Sequence, residues 1–242
     1  MKKILLSCLA FLAIILFLFS LPLFFPAREA LQNTNNVGLP WQIERDEAGQ
    51  TRVFGLSPGV SVLNDAIAQF GEDIEIAIMI AGNVPKGEEA KDAALEGYYN
   101  QVVLDFIHAR LILTLEASPD MVESMLSRSV KGEYMRNGSR KFSLHPDDIR
   151  LAATLPLAAM TLIPGGSLDD ETITSRFGAP AGIIPVGETL HHYLYPDKGL
   201  DIILDRKGKD VLQYVSPADF EVRIMRPLRS ETQNRTQNQP QN

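Results

Sequence analysis

The sequence predicts an α+β protein: two tandem units of short helices packed on an antiparallel sheet, after an N-terminal transmembrane helix. Three observations carry that prediction. The first is an apolar run over residues 4–25, interrupted only by Ser7, Ser20 and Pro22. The second is a passage that occurs twice, "LSPGVSVLNDAIAQFGE" from Leu56 and "LIPGGSLDDETITSRFGAP" from Leu162. The third is a period-two alternation of apolar residues at Leu111, Leu113 and Leu115 and again at Leu200, Ile202 and Leu204, the signature of strands with one buried face.

Residues 1–30 read as a membrane anchor. A helix over residues 4–25 is about 33 Å long, enough to cross a hydrocarbon core of roughly 30 Å. Lys2 and Lys3 precede it and hold the N-terminus on the cytoplasmic side, so the chain from Arg28 onward is expected outside the inner membrane, in the periplasm. Phe25-Pro26-Ala27 is a poor cleavage site, which favours a retained single-pass anchor over a signal peptide. Leu5-Leu6-Ser7-Cys8 is similar to a lipoprotein box, but the apolar run lies mostly after the cysteine, the wrong way round for cleavage there. Cys8 is the only cysteine, so the exported part has no disulfide and no thiolate ligands for a metal. The net charge of -7 argues against nucleic acid as a partner.

The first unit is expected over residues 40–142. A hairpin over 40–56 turns at Glu47-Ala48-Gly49. After it, Gly55-Leu56-Ser57-Pro58-Gly59 fits the G-x-S-x-G pattern of a hydrolase nucleophile elbow. Two features exclude a catalytic Ser57. The residue after the nucleophile must donate its backbone N–H to the oxyanion, and Pro58 has none; in the second copy the matching position is Ile163. The passage is therefore a loop into a helix, with Ser61 as N-cap and Gly71 as C-cap. Residues 83–97 have no counterpart in the second copy, and their mixed charges suggest a solvated loop or short helix. "LDFIHARLILTLEASP" from Leu104 reads as a hairpin corresponding to "LDIILDRKGKDVLQYVSP" from Leu200. Ser118 and Pro119 then start a helix through about Ser127, and Asn137-Gly138 marks a type I′ hairpin over 134–142.

The second unit is expected over residues 143–230. A helix starts at "HPDDIRLAATL"; the repeated helix follows, capped by Ser167 and Gly178, and a hairpin turns at Lys207-Gly208. The tail over residues 231–242 contains no apolar residue, and disorder is expected there.

Chemistry-bearing residues are sparse. His191 and His192, with Asp197 and Asp201 nearby, are the best candidates for metal or acid–base work. Neighbouring side chains in a strand point to opposite faces, so the two histidines cannot share one ion without a bulge. Asp147-Asp148 and Asp169-Asp170-Glu171 fall in first helical turns, where the helix dipole favours them without catalysis. No phosphate-binding loop, zinc-protease motif or EF-hand loop is present. No cofactor, metal site or catalytic residue is expected, and non-catalytic binding is the default.

The second unit resembles the SmpA/OmlA domain of small outer-membrane-biogenesis lipoproteins, one of the β-lactamase-inhibitor-protein-like folds. The resemblance rests on Gly165-Gly166-Ser167, Arg176-Phe177-Gly178-Ala179-Pro180, His192-Tyr193-Leu194-Tyr195 and the stretch from Leu204 to Val211. The first unit keeps Phe70-Gly71 but has Glu72 and Asp73 where the second has Ala179 and Pro180, a diverged copy. The resemblance implies helices on one face of an antiparallel sheet, with the other face open to a protein partner. The expected function is a membrane-anchored binding or scaffolding protein of the bacterial envelope. Its expected partner is another envelope protein, bound around His192, Tyr193, Tyr195, Asp197 and Lys198; the competing expectation is that the tyrosines pack the core. Two alternatives stand beside it: a periplasmic hydrolase or metal-dependent enzyme using His191 or His192, and a small-ligand sensor with a closed apolar cavity between the units.

Overall fold

The computed structural model describes residues 38–82, 93–136 and 138–237. The expected anchor lies outside them, as do Asn137 and most of the expected insertion. Among the described residues no helix is long and apolar enough to cross a membrane.

The chain begins with a small hairpin, β1 (Glu44–Arg45) and β2 (Thr51–Arg52), closed where expected by Gly49 at φ +83°. α1 (Leu63–Phe70) ends as expected at Gly71, whose N–H bonds Ile67 O. Its start departs from expectation. Val62 holds the cap position and gives its N–H to Asp65 Oδ2 at 2.8 Å, while Ser61 Oγ accepts the Ser57 N–H and closes the preceding turn.

Next comes a meander of β3 (Glu75–Ile80), β4 (Ala93–Leu104) and β5 (Ile107–Leu115). Two expectations fail here. Residues 93–97 belong to the twelve-residue strand β4 rather than to a solvated insertion. Gly97 hides the alternation there, because a β-carbon on it would lie 2.8 Å from Ile74 Cδ1, where close packing has replaced a side chain. The hairpin also turns at Asp105-Phe106, so residues 107–115 form one strand and the expected match to residues 200–217 is out of phase.

α2 (Pro119–Ser127) has Ser118 as its cap, Oγ accepting from Met121 N at 3.3 Å, and Pro119 in its first turn, as expected. β6 (Lys131–Tyr134) and β7 (Arg140–Ser143) form the expected hairpin, and α3 (Pro146–Ala152) follows with His145 as its cap. β8 (Leu157–Pro164) leads to α4 (Asp170–Phe177), capped by Asp169, which accepts from Thr172 N at 2.7 Å, and not by Ser167; Gly178 ends it. Then come β9 (Gly182–Val186), β10 (Leu190–Tyr195), a 3-10 turn at Pro196–Lys198, β11 (Leu200–Asp205) and β12 (Val211–Val215). The last segment is helical: a 3-10 turn, a π-helical stretch at Glu221–Met225, and α5 (Arg226–Gln237). The expected disordered tail is thus helical as far as Gln237. Its polar side chains bond back to the helix, Ser230 Oγ to Arg226 O and Thr232 Oγ1 to Leu228 O, and its first turn is anchored by buried Leu228.

Apart from β1 and β2, the strands of the described residues form one ten-stranded antiparallel sheet in the order β6-β7-β3-β4-β5-β8-β12-β11-β10-β9. β8, from the second expected unit, lies between β5 of the first and β12 of the second. The two units are therefore not separable by cutting the sheet between them. A single main core runs across both, from Leu63 and Tyr99 through Met160 and Leu162 to Phe177 and Tyr214. α1 and α4 lie on the same face, since the cross-strand row Gly97, Leu113, Met160, Tyr214, Leu200, Tyr195 points one way. One contact occurs twice on that face. Tyr99 donates its hydroxyl to Gly71 O at 2.8 Å, and Tyr195 donates to Gly178 O at 2.9 Å. In each case a strand tyrosine ties down the glycine that ends a helix, and the preceding phenylalanine packs on its ring.

Candidate functional site: a half-open sheet face

Among the described residues, the opposite face of the sheet carries an apolar layer on one side only. The neighbouring cross-strand row, Tyr98, Ile112, Thr161, Gln213, Asp201, Leu194, points to this face. Over β9, β10 and β12 the C-terminal helical segment packs Phe220, Ile224 and Leu228 on Val186, Leu194 and Val215, a second apolar core. Over β3, β4 and β5, neither core includes the residues of this face, and Glu96, Tyr98, Ile112, Thr114, Thr161 and Ile163 are all half-buried. Arg223 reaches across the border to Glu116, and Lys141 Nζ meets Glu75 Oε1 at 2.5 Å beyond it. Between these pairs, burial alone pushes the Glu96 carboxyl above its ordinary range. The patch thus combines an aromatic ring, two isoleucines, two threonines and a partly desolvated carboxylate.

The residues singled out from sequence divide between the two faces. Tyr193 and Tyr195 are 5% and 4% exposed and lie beneath α4, so they are core residues and not an open binding face. Burial, and then its hydrogen bond to Asp170, push the Tyr193 phenol up to about 12. Lys198 gives its Nζ to Phe177 O and lies 5.2 Å from the centre of the Tyr195 ring, fastening the 3-10 turn to the end of α4. Asp197 is exposed on that turn. His191 points to the helix side, where its Nδ1 is buried without a partner.

His192 and Asp201 do come together on the second face, 7% and 2% exposed, with His192 Nδ1 2.7 Å from Asp201 Oδ2. Burial raises the Asp201 carboxyl above the ordinary aspartate range, and His192 opposes that shift. A histidine–carboxylate pair can orient a general base, but the base needs a nucleophile or water within reach. The side chains beside His192 are Leu190 and Leu194 along its strand and Ile184 and Ile203 across from it, which bring no hydroxyl or thiol. Asp201 Oδ1 has no hydrogen-bond partner. Among the described residues there is no group of three acidic, histidine or cysteine side chains that could hold a metal ion.

Ser57 sits in a turn whose carbonyl accepts the N–H groups of Val60 and Ser61, and Pro58 follows it buried. Near the chain entry, a groove of about 710 Å³ runs past Trp41, Gln42, Glu44, Arg52 and Phe54. It is open and carries charges of both signs, unlike the closed apolar cavity expected of a sensor. The open patch was missed in the sequence because Glu96 falls in the stretch read as an insertion and Tyr98 directly follows it. The signal was there, in Leu95, Gly97 and Tyr99 alternating with Glu96 and Tyr98.

In comparisons with protein-family models, curated proteins and solved structures, the chain gives no match.

Proposed function

We propose that this chain is a membrane-anchored, exported, non-catalytic binding or scaffolding protein of the bacterial envelope, and that it grips another envelope protein with the open half of its sheet. The observation that carries the reading is the half-buried patch of Tyr98, Ile112, Thr114, Thr161, Ile163 and Glu96, which belongs to neither apolar core of the described residues. A sheet face with aromatic and aliphatic side chains at its centre suits a protein interface, where such residues act as anchors. The export address rests on the apolar run and its two leading lysines. The repeated tyrosine-to-glycine contact supports descent from two copies of one helix-on-sheet unit. The resemblance to the SmpA/OmlA domain favours the same face, the one turned away from α1 and α4.

The test is crosslinking of the full chain in living cells, with identification of what is captured. Changing Tyr98→Arg and Ile112→Arg is expected to abolish capture of a reproducible envelope protein while leaving the amount of chain unchanged. Tyr193→Ala is expected to lower the amount of chain instead, because that ring is core. Capture that survives the paired arginines would show the reading to be wrong.

A further inference from the structure

The two outer strands of the sheet, β6 and β9, end it differently. β9 carries Pro185, which has no N–H to offer a further strand. β6 has no such block. Its register sets Lys131 opposite Ser143 and Glu133 opposite Lys141, and Met135 donates its N–H to Ser139 O at 2.8 Å. Bonded and non-bonded pairs alternate along an antiparallel ladder, so within β6 Lys131 and Glu133 bond β7 while Gly132 and Tyr134 turn their N–H and C=O outward. Just before the strand Val130 also gives its N–H to Ser143 O at 3.0 Å, so the outward-facing backbone groups begin at Gly132. Large apolar side chains also gather at this edge: Val130 is 67% and Tyr134 84% exposed, with Met135 exposed beside them.

We propose that β6 pairs with β6 of a second copy of this chain, antiparallel, about a two-fold axis through Gly132. This register is selected by charge. Around Gly132 the axis sets Lys131 of each copy against Glu133 of the other, two opposite-charge pairs made from one ion pair that each copy already holds within its own strand. An axis through Lys131 or Glu133 would set a like charge against itself, and one through Tyr134 would make no charge pair. The Gly132 axis is also the register in which the outward backbone groups of Gly132 meet their own copies. The absence of a side chain at Gly132 is already required within one copy, where a β-carbon would lie 2.9 Å from Phe142 Cε1. The inference does not depend on the binding patch, which lies on the sheet face and not at its edge.

The test uses the purified full chain in detergent, with Cys8→Ser so that no other thiol is present. One chain carries Lys131→Cys and a differently tagged chain carries Glu133→Cys; the two are mixed and oxidised. Facing residues in a non-bonded pair have Cα atoms about 4.5 Å apart, within the span of a disulfide, whereas each residue and its own copy are diagonal neighbours at roughly 7–8 Å. The mixed disulfide is expected to form several-fold more than either self-linked product. Separately, Lys131→Glu is expected to weaken the dimer by about tenfold, and Lys131→Glu with Glu133→Lys to restore it, because the swap preserves complementarity. A monomeric mass for the unaltered chain, self-linking as strong as mixed linking, or a charge swap without rescue would each overturn the proposal.

Discussion

At the residue scale, several side chains that suggest chemistry are explained by packing. Gly199 is the sharpest constraint. It lies at φ +61°, and a β-carbon there would come within 2.0 Å of Val215 O. Gly199→Ala is therefore expected to destabilise the protein by about 3 kcal/mol or more in thermal or urea unfolding, whereas Gly166→Ala, which meets nothing within 4 Å, is expected to change stability by less than about 0.5 kcal/mol. The His192 and Asp201 pair makes a second prediction. Removing the ring in His192→Leu strands a buried carboxylate and is expected to cost about 3–5 kcal/mol near neutral pH, while His192→Leu with Asp201→Leu should recover most of it. The pH dependence has a defined sign. A carboxyl whose folded pKa is raised contributes most favourably below the ordinary aspartate range, and that contribution is lost as pH rises through the raised value. Since His192 opposes the upward shift, its removal should enlarge the loss. Unfolding midpoints from about pH 4 to pH 8 should show the gap between His192→Leu and the unaltered chain widening with pH; a gap that narrows would contradict the assignment.

At the element scale, the C-terminal helical segment turns a sheet with one covered face into one with a face and a half covered. Phe220, Ile224 and Leu228 recur at every fourth residue and put one side of the segment on the sheet. Leu228→Ala or Ile224→Ala is expected to cost about 2–4 kcal/mol, measured by chemical denaturation, because each removes a side chain that is nearly fully buried. Ending the chain after Ser230 should cost far less, since it leaves Phe220, Ile224 and Leu228 in place on the sheet. The strained turn at Phe54 shows the same principle in reverse. Phe54 is held at φ +58°, a conformation that disfavours a bulky residue, and is kept there by burial and by edge-on contact with the Tyr214 ring at 5.5 Å.

At the scale of the whole molecule, the position of β8 decides how the chain can be divided. Its two neighbours come from opposite halves of the sequence, and Met160 and Leu162 face Leu113 and Leu111 on one side and Tyr214 and Leu212 on the other. A fragment over residues 143–230 would keep β8 but expose its entire first-half edge, so it is expected to give a disordered far-ultraviolet spectrum or to aggregate. A cooperatively folded fragment would show that the shared sheet is dispensable. The same arrangement accounts for the asymmetric lower face: the C-terminal segment can reach only the half of the sheet that its own strands build, which leaves β3, β4 and β5 to the proposed partner.

The sequence by itself determined what local physical chemistry can write. Proline and glycine placed the turns around Gly49 and Gly138 and the starts and ends of α1, α2 and α4 to within a residue or two, because their backbone preferences act over a few bonds. It located those helices and the Ser118 cap of α2 but chose the wrong N-caps for α1 and α4: Val62 takes the place expected of Ser61, and Asp169 that of Ser167, because the entry path of the chain selects the residue that meets the free N–H groups. It brought His192 and Asp201 into one candidate set, but it could not separate Tyr193 from His192 by face, because period-two alternation does not say which face receives a helix. Tertiary structure alone decided that both halves share one sheet, that the twin tyrosines hold helix ends rather than a partner, and that the polar C-terminal tail continues a helix. Each of these depends on which surfaces remain to be buried once all the strands have paired, and that is a property of the assembled sheet.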